Sequence, residues 1–423
     1  MVNLHALLLL NFALRDFYIM SETLELASKL IACNSVTPND AGCQDLLEQE
    51  LNEVGFKCRT LREGMYPTFN LLALHSVDPK ANFDGDPAIL KNNPGPYDAS
   101  GFVAPGPFTI FLGHTDVVPA KESDWNSDPF SPTIKDGILY GRGSADMKGS
   151  DAAMTIALKN FVKKHPNYKG TIGLLMTSNE EGDAVGGIPF VAEWLKKERL
   201  YPDFCIVGEP SSSKTFGDII KIGRRGSMTA HITINGKQGH VAYPEQIDNA
   251  CHKGAQLITA LLEKPLDNGN DDFPPTSFNV TNFNSGVGAE NVAPGTCQIM
   301  CNWRFSPLQT PVKLQRRLEK TMEELGIYAT VRYVINGLPF ISSKDGQLVT
   351  ALKAAVEHHT KVTPDLNTLG GTSDGRFIAP LGTQVVEFGP INATIHKANE
   401  CVNVEDLETL TKIYEEALEK LHL

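Results

Sequence analysis

A chain of 423 residues exceeds what one hydrophobic core ordinarily holds, so two domains are expected. Its 41% hydrophobic and 21% charged residues are those of an ordinary globular protein and exclude a globally disordered one. A formal charge of -12, from 38 basic against 50 acidic residues, argues against nucleic acid or an anionic membrane as partner, since both need a basic surface.

Residues 1–19 contain an apolar run over 6–10 but no basic leading segment and no clear small-residue cleavage site. Asn11, Arg15 and Asp16 interrupt the run short of the about 20 apolar residues that a membrane span takes. The stretch reads as an N-terminal extension, because an amphipathic helix opens at Met20. The eight cysteines (Cys33, Cys43, Cys58, Cys205, Cys251, Cys297, Cys301 and Cys401) include no Cys-x-x-Cys pair, which predicts reduced thiols in a cytoplasmic protein. Residues 77–107 are rich in Pro, Gly, Asn and Asp without periodicity, and predict a surface loop insertion.

Short β-branched runs at 108–112, 171–176, 204–207 and 384–388 alternate with helical stretches, the pattern of an α/β domain on a mostly parallel sheet. Between the first two, Met154, Ala157, Leu158, Phe161 and Val162 keep 3.6-residue spacing and predict a helix over 147–164, with Asp146 as its N-cap. From Ser227 the order becomes strand (228–234), helix (249–264), strand (276–283), strand (297–305), helix (311–325) and strand (328–335). That is the β-α-β-β-α-β ferredoxin-like motif, which predicts a small domain over 226–336 inserted into a catalytic domain formed by 20–225 and 337–423. Cys297, Ile299, Cys301, Trp303 and Phe305 alternate on one face, so both cysteines there are expected in a core. Residues 223–226 and Asn336-Gly337 mark the crossings, where glycines permit hinge motion. Helices over 347–361 and 404–421 complete the chain.

Three strands end in unusual polar strings: Gly113-His114-Thr115-Asp116, Thr177-Ser178-Asn179-Glu180-Glu181-Gly182 and Gly208-Glu209-Pro210. Ligands of open α/β sheets bind beyond the carboxyl ends of strands, so these side chains are expected to converge. Each alone has an ordinary explanation as a cap, a turn or a satisfied histidine. With Asp146 and His396 they make two imidazoles and three or four carboxylates, a set that packing does not call for. Carboxylates gathered in one crevice repel unless a cation holds them. Nitrogen and oxygen ligands without cysteine suit catalytic zinc; five are too many for one such ion, but enough for two if a carboxylate bridges.

Gly113-His114-Thr115-Asp116-Val117-Val118-Pro119, Gly141-Arg142-Gly143-Ser144-Ala145-Asp146-Met147-Lys148-Gly149, Asn179-Glu180-Glu181-Gly182 and Val207-Gly208-Glu209-Pro210 follow in that order. In these strings the chain resembles the two-zinc acylase and carboxypeptidase family over nearly its whole length from Met20. The resemblance implies a zinc-dependent amidohydrolase with two zinc ions per subunit, cobalt being possible in the second site. His114 and Glu209 would hold one ion, Glu181 and His396 the other, with Asp146 as bridge. Asp116 would orient the imidazole of His114, and Glu180 would be the general base. His240, in the inserted domain, would donate to the substrate carbonyl oxygen, commonly from the partner subunit of a homodimer.

Within the family, Gly223-Arg224-Arg225-Gly226-Ser227, Gly239-His240-Val241-Ala242-Tyr243-Pro244 and Gly370-Gly371-Thr372-Ser373-Asp374-Gly375-Arg376-Phe377 favour the branch that removes succinyl groups from diaminopimelate; acetylornithine deacetylases are the alternative. A small anionic N-acyl amino acid is therefore the expected substrate. Guanidinium forks bind carboxylates bidentately, which makes Arg224 and Arg304 candidates, with Asn291, Tyr243 and Thr372 beside them. A metal-poor binding relative of the same fold is a rival of another class, but has no need of a base such as Glu180.

Overall fold

The computed structural model describes residues 20–77 and 105–423; the expected extension over 1–19 and most of the 77–107 insertion lie outside the described residues. The chain opens with helix α1 (Glu22–Ala32), whose N-cap Ser21 accepts the Leu24 amide at 3.1 Å. Helix α2 (Cys43–Asn52), strands β1 (Lys57–Leu61) and β2 (Asn70–His75), then β3 (Phe108–His114) follow. Helix α3 (Lys148–Lys164), strand β4 (Thr171–Thr177), helix α4 (Ile188–Lys197) and strands β5 (Phe204–Val207) and β6 (Ile219–Lys221) complete this part. Every residue of β3, β4 and β5 is buried. Helices cover both faces of such strands, and this is why their sequences are continuous apolar runs.

Helix α3 buries Met154, Ala157, Leu158 and Phe161, as the spacing predicts. Its N-cap is not Asp146. Met147 occupies that position without a side-chain hydrogen bond, and the Asp146 carboxylate turns instead toward two histidines. Helix capping stabilises by about 1 kcal/mol; two imidazole partners outweigh it.

The middle of the chain forms strand β7 (Gly226–Asn235), helix α5 (Ala250–Leu262), strands β8 (Ser277–Ser285) and β9 (Thr296–Phe305), helix α6 (Pro311–Glu324) and strand β10 (Ala329–Gly337). The strands make one antiparallel sheet in the order β8-β9-β7-β10. Asn249 and Thr310 cap the two helices, and Leu257, Leu261, Leu314 and Leu318 pack on the sheet with Cys297, Ile299, Cys301, Trp303 and Phe305. Entry and exit run side by side, since Gly223-Arg224 pairs with Ile341-Phe340.

Helix α7 (Gln347–Thr360), strands β11 (Asp365–Asn367) and β12 (Gln384–Glu387) and helix α8 (Val404–His422) return to the large sheet. Its eight strands lie in the order β1-β2-β4-β3-β5-β12-β6-β11. The central four are parallel, flanked by antiparallel pairings of β1 with β2, β2 with β4, and β12 with β6. The sheet is therefore mixed α/β with a parallel centre. Among the described residues all eight cysteines are free, and no helix is long and apolar enough to cross a membrane.

Candidate metal centre

Parallel pairing sets the edge at which the site forms. His114 is in register with Thr177, and Leu112 with Val207, so the residues just past β3, β4 and β5 emerge together. The His114 ring is fixed by Nδ1, which lies 2.9 Å from the backbone oxygen of Asp116. With Nδ1 donating, the Nε2 lone pair faces Asp146 Oδ1 at 3.2 Å and Glu209 Oε1 at 3.9 Å. His396 Nε2 lies 3.3 Å from Asp146 Oδ2 and 2.9 Å from Glu181 Oε1. Thus the two oxygens of one carboxylate face two different histidine–glutamate pairs.

Asp116 contacts His114 chiefly through its main chain, because its carboxylate stands 3.7 Å from Nδ1. That carboxylate instead accepts the amides of Glu180 and Glu181, each at 3.1 Å. It fixes the turn that carries both glutamates.

The donor set fits divalent cations. His114 Nε2 and Asp146 Oδ1 are both buried, and they lie 3.2 Å apart without making a hydrogen bond to each other or to anything else. A shared positive ion satisfies both lone pairs. Burial first, and then the carboxylate of Asp374, pushes Glu180 up to about 8, with Glu181 and Asp146 adding to the rise. Burial, Asp146 and Glu180 likewise raise Glu209 well above the usual carboxylate range. At this centre two groups each bring one ligand atom per residue within 4.8 Å of one another: His114 with Asp146 and Glu181, and His114 with Glu180 and Glu209. Glu180 therefore borders the centre as closely as the expected ligands do.

A cavity of about 240 Å³ opens on these groups and is lined by Asp146, Glu180, Glu181, Glu209 and His396, with Lys221, Arg224, Thr372 and Asn392 on its wall. Arg224 is not the free fork that the sequence suggests. Its Nε and Nη2 donate to Glu387, Nη1 donates to the Leu369 carbonyl at 2.7 Å, and the side chain is buried. A buried carboxylate without its partner is costly, and that fixes the guanidinium in place. Ser373 donates to the other oxygen of Glu387.

The residues expected from the inserted domain do not reach this cavity within one chain: His240, Tyr243, Asn291 and Arg304 are absent from its wall. His240 and Tyr243 are exposed and meet edge to face, with ring centroids 5.7 Å apart, beside a short ribbon in which His240 pairs with Val292. His240 Nδ1 accepts the Ala242 amide at 3.1 Å. Asn291 is exposed beside this ribbon, and Arg304 is half-buried on β9.

Sequence reasoning missed Lys221, Asn392 and Glu400. Lys221 is buried at the end of β6, donates to Asn367 Oδ1 at 2.7 Å, and is brought down to about 8 by burial and by Arg224. A single lysine inside Ile219-Ile220-Lys221-Ile222 is the signal that marks it. Two other features stand apart from the centre. A cavity of about 460 Å³ between α4 and the exit from β10 is lined by Pro189, Leu338, Arg376 and Phe377 and by none of the expected ligands. His358 and His359 of α7 both meet Glu416 of α8, which also holds Lys420, so this group clamps two helices.

A family model described as "Peptidase family M20/M25/M40" matches residues 110–420. The chain is 47% identical over 403 residues to the succinyl-diaminopimelate desuccinylase of Methylobacillus flagellatus, covering 95% of this chain and 100% of that protein. It is 46% identical over 401 residues to the enzyme of that name from Hydrogenovibrio crunogenus, covering 94% of this chain and 98% of that one. Among solved structures, an M20 family metallo-carboxypeptidase from Sulfolobus solfataricus shares the fold with a TM-score of 0.74 and 19% identity, over 95% of this chain and 99% of that chain.

Proposed function

The chain belongs to peptidase family M20/M25/M40, and on that premise we propose that it hydrolyses N-succinyl-LL-2,6-diaminopimelate to succinate and LL-2,6-diaminopimelate. This step serves the biosynthesis of lysine and of a cell-wall precursor in the cytoplasm. The observation that carries the hydrolytic reading is Asp146, whose two oxygens face His114 with Glu209 on one side and His396 with Glu181 on the other. Likeness to two desuccinylases over 94% or more of the chain supports the substrate.

His114 and Glu209 would hold one zinc ion and His396 and Glu181 a second, in which cobalt can substitute, with Asp146 shared. Such ions lower the pKa of water toward about 7 and polarise an amide carbonyl. Glu180 takes the proton of the attacking water and passes it to the departing amine, so succinate leaves as the carboxylate and diaminopimelate as the amine. Glu180 lines the same cavity as Asp146, Glu181 and Glu209 and is left without an expected ion to hold, which suits it to the proton transfer. Lys221, Thr372 and Asn392 line the cavity wall and would meet the substrate's carboxylates and amide. His240, Tyr243, Asn291 and Arg304 act from the inserted domain of a second copy in a homodimer.

The test compares kcat/KM for N-succinyl-LL-2,6-diaminopimelate and N-acetylornithine on zinc-loaded protein whose metal content is measured. The expected result is preference for the succinyl substrate, close to two ions per chain, and loss of activity in excess chelator. Preference for acetylornithine overturns the substrate, and full activity in chelator overturns the metal reading.

A further inference from the structure

Glu400 is 1% exposed, and it touches neither the cavity nor any expected ligand side chain. Its carboxylate is nonetheless fully used. Oε1 accepts the amides of Ala145 and Asp146, each at 3.0 Å. Oε2 accepts the amide of Gly143 at 3.0 Å and Arg142 Nη1 at 2.7 Å. An ionised carboxylate offers about four acceptor positions, and here all four are taken by groups within residues 142–146.

Those donors belong to the turn that ends in Asp146. The Asp146 amide sets where its Cα stands, and so where its two oxygens point. Glu400 and His396 share one segment, 396–400, which holds the imidazole at its start and the turn-gripping carboxylate at its end. His396 and Asn399 have φ of 60° and 59°, so the segment doubles back on itself, and Asn399 Oδ1 accepts the Asn126 amide at 2.8 Å. Beyond it, Cys401–Asn403 pairs with Ile138–Tyr140, the strand that leads into the gripped turn. Arg142 is itself buried, donates to the Lys397 carbonyl at 3.2 Å, and lies 5.1 Å over the Trp125 ring.

We propose that Glu400 is a positioning residue that locks the 142–146 turn to the 396–400 segment, holding Asp146 between His114 and His396 and thereby setting how tightly the centre binds its cations. The inference rests on reading Asp146 as a shared ligand. Partners that orient metal ligands carry much of a site's affinity, about 10–100-fold when removed. Glutamine is the sharp substitution because it keeps the volume. Its amide group meets two donors with a donor, whichever way it is turned, so one half of the grip is lost.

The experiment measures Zn²⁺ affinity of the full-length protein by competition with a chromophoric chelator, alongside circular dichroism and urea unfolding. Wild type, Glu400→Gln and Asp146→Asn are compared. Glu400→Gln is expected to be folded, to bind Zn²⁺ about 10–100-fold more weakly, and to lose kcat with little change in KM. A residue of purely structural importance would move the unfolding midpoint and leave the affinity of the folded protein unchanged, and that outcome overturns the proposal. Asp146→Asn separates the two readings: if it binds Zn²⁺ as wild type does, the shared-ligand reading fails first. If it loses metal while folded Glu400→Gln does not, only the role of Glu400 fails. Should Glu400→Gln not fold, the double variant Arg142→Gln, Glu400→Gln removes both buried charges and is judged by the same affinity.

Discussion

Glu180 and Glu181 share a turn but differ in surroundings. Glu181 meets His396 at 2.9 Å, whereas Glu180 is raised to about 8, by burial first and then by the Asp374 carboxylate. Glu180→Gln is therefore expected to keep the metals and lose about 10²–10⁴ in kcat, the scale of a general base. Metal content and kcat measured on the same preparation check this; loss of metal would exchange the two roles. The convergence of His114, Glu180, Glu181 and Glu209 was legible because each stands at or shortly past the end of an apolar strand, where polar side chains gather in such sheets. Arg224 was misjudged because a sequence shows a guanidinium but not the Glu387 that engages it. Glu400 escaped notice because it is 254 residues from the Asp146 amide that it accepts, with no local pattern to join them.

Helix α8 shows how an element reports its own packing. Its last turn places His422 in the interior, with Nδ1 2.7 Å from the Lys169 carbonyl and Nε2 2.8 Å from Thr109 Oγ1. Burial lowers its pKa, against smaller opposing contributions from the Lys169 carbonyl and Asp203. The unfolded chain therefore binds a proton on this residue more readily than the folded one. Stability is complete above the unfolded value of about 6.5 and declines as pH falls from there toward the folded value, by up to about 1.4 kcal/mol per pH unit. Urea unfolding of wild type and His422→Gln across pH 7 to 5 is expected to show a flatter dependence in the variant; equal slopes would refute it. At this scale β3, β4 and β5 were readable because burial on both faces leaves uninterrupted apolar runs ending in Gly or polar residues. Strands β6 and β11, of three residues each, are too short to carry a period. The start of α3 was misread because an Asp before a helix resembles a cap, and only the folded chain reveals the two histidines that claim it.

The whole molecule poses the question that one chain leaves open. The β-α-β-β-α-β order was legible because the strands facing α5 and α6 alternate and Asn249 and Thr310 mark the helix starts. What that unit would do for catalysis in the proposed homodimer depends on how two copies would meet, which no run of residues encodes. His240 is exposed and off the cavity wall of its own chain, and its proposed donation to the substrate carbonyl is therefore assigned to a second copy. Removing one such donor costs about 10²–10³ in kcat, so His240→Ala is expected to lose rate on that scale while keeping its metal. Mixing His240→Ala with Glu180→Gln under conditions of subunit exchange tests the arrangement. If His240 serves the neighbouring site, a mixed dimer contains one site with both residues intact, and activity returns. If it serves its own chain, each site lacks one of the two, and activity stays lost. Failure to recover activity once exchange is confirmed by a tagged subunit would therefore exclude donation across the dimer.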